Sequence, residues 1–313
     1  MLDKGAPIFV AGHQGMVGQA VVRRLSQSGY QSLITQNREQ LDLTDALQVR
    51  HFFQQQPISA MVIAAAKVGG IEANRSAPVD FLQQNLLLQT NLIAAAHEHG
   101  IQKLIFLGSS CIYPRLADQP ISESALLQGY LEPTNDAYAI AKIAGIKLCE
   151  AYNRQYKTDF RSLMPTNLYG PGDNFSLTQA HVAPALMRRL HEAKQANAPA
   201  VTVWGTGNPR REFLHVDDLA TAIEFMLNLS TQDYQNVGTG VDISISELAK
   251  LLADIVGYSG KLQFDTSKPD GTPRKLLDVT KLKNLGWQAV TTLEDGLRDT
   301  YSWYCDNAHA LRL

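Results

Sequence analysis

Tyr138 and Lys142 stand four residues apart in Tyr138-Ala139-Ile140-Ala141-Lys142, a segment of helical pattern, so both side chains fall on one helical face. Upstream, Gly108-Ser109-Ser110-Cys111 closes the apolar run Lys103-Leu104-Ile105-Phe106-Leu107. A hydroxyl, a phenol and an ammonium brought together form an acid for carbonyl reduction. A free tyrosine titrates at about 10, and an adjacent ammonium lowers it toward working pH. Serine then holds the carbonyl oxygen while Tyr138 gives or takes its proton. Alone, a Tyr/Lys pair at this spacing is equally at home on any amphipathic helix. The N-terminal residues turn the reading toward chemistry.

Ile8-Phe9-Val10-Ala11 reads as a buried strand, and Gly12-His13-Gln14-Gly15-Met16-Val17-Gly18 follows it directly into a helical pattern. Strand, glycine loop and helix are the context of a dinucleotide site. The glycines permit a tight turn and close backbone approach to a pyrophosphate, and the helix N-terminus offers free N–H groups. The Gly-x-x-Gly-x-x-Gly spacing, with the serine and the Tyr-x-x-x-Lys pair, resembles the short-chain dehydrogenase/reductase superfamily. Cofactor choice is read after the next strand, in Gln36-Asn37-Arg38-Glu39. Arg38 suits the 2′-phosphate of NADP, whereas Glu39 one position later is the residue type that suits NAD. Asp42 and Leu43, and the run Ala64-Ala65-Ala66-Lys67, fall where such folds line the adenine and the middle of the cofactor.

The elements that must position these groups alternate. Strands are expected at Ile8–Ala11, Ser32–Thr35, Ala60–Ala65, Lys103–Leu107 and Arg161–Met164, with helices at about 16–28, 44–55, 79–99 and 136–157. That alternation predicts an α/β fold, a Rossmann-type doubly wound parallel sheet, with the cofactor across the carboxyl ends of the strands where Gly12, Ser109 and Pro165 converge. After Asn167-Leu168-Tyr169-Gly170-Pro171-Gly172, Pro, Gly and Asn become frequent and the pattern breaks into short segments. Residues 1–170 are therefore expected to form the NADP-binding domain, with return segments near 213–240. Residues 171–313 then form mainly a smaller α/β substrate-binding domain. The long helices at 79–99 and 136–157 serve either the core or a four-helix dimer seam.

The 313 residues hold 28 Lys and Arg against 30 Asp and Glu, a net charge of −2, so no nucleic-acid partner is expected. Three cysteines, Cys111, Cys149 and Cys305, suit neither a disulfide framework nor a metal site. No long apolar run predicts a membrane span and no leader pattern is present, so the expected compartment is the cytoplasm.

Longer strings narrow the resemblance. Ala64–Ile71, Leu107–Pro114, Gln128–Thr134 with Tyr138–Gly145, Met164–Gly170 and Lys268–Asp278 are similar to the GDP-L-fucose synthase family, the GDP-4-keto-6-deoxy-D-mannose 3,5-epimerase-4-reductases. The likeness spans almost the whole chain. It implies a GDP-sugar substrate, NADP(H) as cofactor and a homodimer. A C4 ketone acidifies the protons on C3 and C5, and inverting both carbons needs a base on one face and an acid on the other. The resemblance assigns these to Cys111 and His181, without saying which is base at each carbon. Ser109, Tyr138 and Lys142 then serve the reduction at C4. It also implies cofactor contacts from residues 12–18, Arg38, Asp42, Leu43, Leu107, Gly108, Ser109, Ser110, Lys142, Pro165, Thr166, Asn167, Leu168 and His181. Substrate contacts fall on Arg189, Trp204, Arg211 and Asp270. His215, in Arg211–Asp218, is expected to order the domain junction rather than to react.

The chain departs from the family at Gln14, where arginine is frequent, so NADPH preference rests on Arg38. The competing reading is a nucleotide-sugar 4-epimerase or a 4,6-dehydratase of the same fold. A dehydratase carries an acidic pair near the catalytic serine, where this chain has Ser109-Ser110-Cys111, and a 4-epimerase has no need of Cys111 and His181. A protein that merely senses NADP has no need to keep Ser109, Tyr138 and Lys142.

Overall fold

The computed structural model describes residues 1–177, 179–229, 234–268 and 270–308; Pro269 of the Lys268–Asp278 string lies outside them. The first part of the chain runs β1 (Ile8–Ala11), α1 (Met16–Gln27), β2 (Leu33–Ile34), α2 (Ala46–Gln55), β3 (Ala60–Ile63), α3 (Ile71–Ser76), α4 (Pro78–Glu98), β4 (Lys103–Leu107), α5 (Asp136–Tyr156), β5 (Asp159–Pro165) and β6 (Asn167–Tyr169). It continues with α6 (Val182–Gln195), β7 (Ala200–Trp204), β8 (Arg210–His215), α7 (Val216–Asn228), β9 (Gln235–Val237), β10 (Asp242–Ser244), α8 (Ile245–Val256), β11 (Lys261–Asp265), β12 (Arg274–Lys275), α9 (Thr280–Asn284) and α10 (Leu293–Asn307).

Six strands pair in parallel in the order β2-β1-β3-β4-β5-β9. Strand order reverses beside β1, which makes the cleft at its carboxyl end a ligand site of the doubly wound type. Side-chain alternation decides the layers. Phe9 and Ala11 pack with Phe52 and Phe53 of α2, Leu92 of α4 and Ile146 of α5. Ile8 and Val10 pack on the other face with Val21 and Leu25 of α1 and Ile223 of α7. Each of the larger of these side chains, fully buried, contributes about 1.5–3 kcal/mol.

Two contacts bring α5 close to the sheet. A Cβ on Gly145 would lie 2.4 Å from the Phe106 ring, so only glycine permits this approach. The buried Gln89 of α4 donates to the Ala141 carbonyl at 2.6 Å, tying the two long helices together one residue before Lys142.

A third core joins Leu186, Met187 and Leu190 of α6 to Leu248 and Leu252 of α8 and to Leu297 of α10. Strand β8 is the hub of the second sheet, pairing with β6, β10 and β12. This half is more regular than its Pro, Gly and Asn content predicts. Helices α6, α8 and α10 run 14, 12 and 15 residues. The turn residues sit in the connections, while Ser244 and Glu247 form a capping box on α8 and Gly257 closes it in the left-handed conformation.

Candidate active site

A cavity of about 1000 Å³ opens at the carboxyl ends of the parallel strands. Every residue given a catalytic, cofactor or substrate role by the resemblance lines it: Gly12 to Gly18, Arg38, Asp42, Leu43, Leu107 to Cys111, Tyr138, Lys142, Pro165 to Leu168, His181, Arg189, Trp204, Arg211 and Asp270; Glu39 and His215 do not. They come from many separate elements, and only the fold brings them to one space.

The nucleotide end is built by steric exclusion. Gly12 has φ +84°, and a Cβ there would lie 2.6 Å from the Ala65 Cα. A Cβ on Gly18 would lie 2.1 Å from the Gly12 carbonyl oxygen, so the loop can lie against α1 only with glycine in both places. Helix α1 starts at Met16 with no side chain capping its N-terminus, leaving first-turn N–H groups for a ligand. His13 Nδ1 is buried without a partner among the described residues. These features fit a dinucleotide pyrophosphate. Arg38 lies at the end of the cleft past β2. The Asp42 carboxylate accepts Thr44 N and Oγ1 at 2.9 and 2.7 Å, and these bonds, with the nearby Arg38 charge, hold its pKa below the usual value against a small opposing effect of burial. Its carboxylate is engaged in shaping the loop.

At the reacting end Ser109 caps a short 3₁₀ turn, Ser110–Ile112, its Oγ accepting Cys111 N at 3.2 Å. Lys142 is buried, and its Nζ donates to the Leu107 carbonyl at 2.8 Å while lying 5.8 Å from the Tyr138 ring centroid. Burial holds its pKa down to about 7. Tyr138 departs from expectation. Its phenol is raised, chiefly by burial and then by the neighbouring Cys111 charge, against a smaller lowering by a hydrogen bond with Ser109. The Lys142 ammonium, turned to a backbone carbonyl and itself destabilised by burial, does not offset this. Tyr138 is thus held protonated, as a donor.

Burial alone would raise the Cys111 thiol, but the Lys275 ammonium and hydrogen bonds with Ser109, Lys275 and Asn135 outweigh it and set its pKa below the ordinary value. His181, the N-cap residue of α6, lines the cavity at a place that solvent reaches although protein atoms crowd around it. Burial, then Lys275, lowers its pKa and favours neutral imidazole. Farther out, the Arg189 guanidinium lies 5.3 Å from the Trp204 ring centroid, with Lys268 at 5.5 Å. Both Asp270 oxygens are engaged by Thr206, at 2.7 Å from N and 2.7 Å from Oγ1. His215 accepts Asp217 N at the start of α7 and stacks edge-on against Tyr169.

Residues 8–238 match the family model described as the NAD dependent epimerase/dehydratase family. The chain is 56% identical over 315 residues to the GDP-L-fucose synthase of Escherichia coli (strain K12), covering 97% of this chain and 98% of that one. It is also 56% identical over 308 residues to GDP-L-fucose synthase 1 of Arabidopsis thaliana, covering 98% and 95%. The chain belongs to the NAD dependent epimerase/dehydratase family, in its GDP-L-fucose synthase group. Among solved structures, an NADP-bound GDP-L-fucose synthetase from Naegleria fowleri superposes with a TM-score of 0.92 at 28% identity, covering 100% of this chain and 98% of that one.

Three residues of this epimerase/dehydratase cavity carry no signal of their own in the sequence. Lys275 Nζ lies 3.6 Å from Cys111 Sγ, across 164 residues of chain. Asn135, just before α5, lies beside the same sulfur and helps to lower its pKa. Asp173 is buried, and its Oδ2 has no partner among the described residues. Lys275 lies in a string that resembles the family, yet nothing local marks it as a neighbour of Cys111.

Proposed function

We propose that this chain converts GDP-4-keto-6-deoxy-D-mannose to GDP-L-fucose, by epimerisation at C3 and C5 and then NADPH-dependent reduction of the C4 ketone. The observation that carries this reading is the meeting of an acid set for a ketone, Ser109, Tyr138 and Lys142, with a low-pKa thiol, Cys111, and an imidazole, His181, in one cavity that also holds the glycine loop. A 4-epimerase of this fold has use for the first set and none for the second.

The glycine loop, the N-terminus of α1 and Arg38 would hold NADPH, with Leu107–Ser110 and Pro165–Leu168 along its nicotinamide half. Bound there, NADPH supplies hydride for C4. Ser109 holds the ketone oxygen in both stages. During epimerisation it stabilises the enolate that forms when a C–H proton leaves, and during reduction it orients the oxygen toward Tyr138. Tyr138, kept protonated by burial, gives that oxygen its proton. Lys142, with its pKa near neutrality, restores the Tyr138 proton. Cys111 and His181 exchange protons at C3 and C5. Arg189 and Arg211 suit the diphosphate, and Trp204 offers a face to the guanine. Asp270, held by Thr206, lines the same end of the cavity and suits a polar edge of the guanine.

Residues 1–170, with the returning α7 and β9, serve the cofactor, and most of residues 171–313 serve the sugar nucleotide. Exposed Val79 and Leu87 on α4 and Ile140 and Tyr156 on α5 support a homodimer through these helices. Cys111, Cys149 and Cys305 are all free, which suits the cytoplasm. No helix among the described residues is long and apolar enough to cross a membrane.

The test is NADPH oxidation by the purified protein given GDP-4-keto-6-deoxy-D-mannose, with NADH run beside it. Substrate-dependent loss of NADPH with GDP-L-fucose as product is expected. A folded, NADPH-binding protein that leaves this substrate unchanged would refute the reading.

A further inference from the structure

Cys111 sits where several charged groups meet. Lys275 Nζ is 3.6 Å from its sulfur, and the Arg211 guanidinium and Tyr138 phenol also interact with it electrostatically. Behind it, a narrow recess is lined by Arg115, Glu132, Arg274 and Lys275. Arg115 is paired with Glu132 at 3.3 Å and Arg274 bonds the Asp242 carboxylate, so these two cations are neutralised. Arg211 donates to the Arg210 carbonyl. Among the described residues, Lys275 is the cation bonded to the sulfur.

The placement of Lys275 is built into the fold. Strand β12 pairs with β8, setting Lys275 opposite Arg211. The next two residues are pinned, Leu276 N donating to Gln119 Oε1 and Leu277 N to Glu212 Oε2, both at 2.9 Å. A lysine stem anchored on both sides has less freedom to lose when its ammonium meets the sulfur than one on a loose loop.

We propose that Lys275 is a positioning residue: its ammonium pairs with the Cys111 sulfur, holding it as the thiolate that takes the C–H proton beside the ketone. This rests on the epimerase–reductase reading above. In the step, the C–H bond breaks, an S–H bond forms, and the electron pair passes onto the C4 oxygen, held by Ser109. His181 then gives up an N–H proton to the opposite face of that carbon as the C4 ketone re-forms, and solvent takes the thiol proton and resupplies the imidazole. Lys275, after burial, also lowers the His181 pKa, which makes its imidazolium the readier proton donor once formed.

The test is the pH dependence of Cys111 alkylation by iodoacetamide in the full-length protein, resolved from Cys149 and Cys305 by peptide mass spectrometry. Wild type, Lys275→Met and Lys275→Arg are compared, with NADPH binding as the check on folding. The Cys111 midpoint is expected to rise by about one pH unit or more in Lys275→Met and to stay near wild type in Lys275→Arg, since an opposite charge at this distance shifts a group by about 1–3 units. Solvent-deuterium incorporation at C3 and C5 should fall in parallel in Lys275→Met, with NADPH affinity kept. A folded Lys275→Met whose Cys111 titrates as in wild type overturns the proposal. So does a variant in which only KM for the GDP-sugar rises, which would assign Lys275 to the diphosphate. A wild-type Cys111 that alkylates with an ordinary thiol midpoint overturns it with no variant needed. Absence of C3 and C5 exchange in wild type would instead sink the epimerase reading, and the alkylation profile would still decide the ion pair.

Discussion

The Glu212 carboxylate accepts the Leu277 N–H at 2.9 Å in a place where Glu212 has no solvent exposure. Its other oxygen takes the N–H groups of Thr239 and Gly240, each at 2.7 Å. One side chain thereby ties β8, the turn after β9 and the segment after β12, and so sets where Lys275 stands. Glu212→Ala is expected to cost about 3 kcal/mol, because it leaves the buried Leu277 N–H and the part-buried Thr239 and Gly240 N–H groups without their acceptor. Thermal denaturation measures the loss. A variant within about 0.5 kcal/mol of wild type would contradict this account.

Asp173 makes stability depend on pH. Burial raises its pKa from an ordinary 3.8 to about 7, and the Asn174 N–H only partly opposes this. A raised carboxyl favours the fold fully below its unfolded pKa, and that contribution is lost as pH rises through about 7. Asp173→Asn should remove the loss, gaining up to about 4 kcal/mol on the alkaline side and nearly nothing in acid. Melting curves at about pH 4, near the unfolded pKa, and at about pH 8 compare the two proteins. A gain of equal size at both would show that ionisation of Asp173 is not the cause.

Tyr138 separates the two halves of the reaction. Tyr138→Phe is expected to slow NADPH oxidation by about 10²- to 10⁴-fold, the range of a lost general acid. Deuterium exchange at C3 and C5 should fall much less, since Cys111, His181 and Ser109 remain. Equal losses in both assays would place Tyr138 in the epimerisation as well.

Arg38 carries the cofactor preference. Gln14, where the family often has arginine, brings no charge to the loop, and its carbonyl accepts from Gln19 Nε2 at 2.8 Å. Arg38→Ala should weaken NADPH binding by about tenfold or more, the size of a charge-assisted hydrogen bond, and leave NADH nearly unchanged. Fluorescence titration with each dinucleotide reads both constants. Parallel losses would mean that Arg38 only shapes the cleft.

Much of the fold follows from local pattern. Strands β1 and β4 match the apolar runs that predict them, and α5 begins at Asp136 as its periodicity indicates. The edge strand β2 is only Leu33–Ile34, shorter than its apolar run, because an edge position pairs on one side alone. Where reading by composition fails, the reason is equally local. The Pro, Gly and Asn of the second half mark turns and caps, and they mask the amphipathic helices α6, α8 and α10 between them.

The sequence by itself determined the parallel sheet, the glycine loop and the residue types for a ketone reductase, because strand alternation, helix periodicity and glycine's lack of a Cβ act over a few residues. Only the tertiary structure decided how those groups are charged. Tyr138 is held protonated, Lys142 is brought near neutrality, and Cys111 meets an ammonium from 164 residues away. Ionisation responds to burial and to charges a few ångströms distant in space, and neither can be read from spacing along the chain.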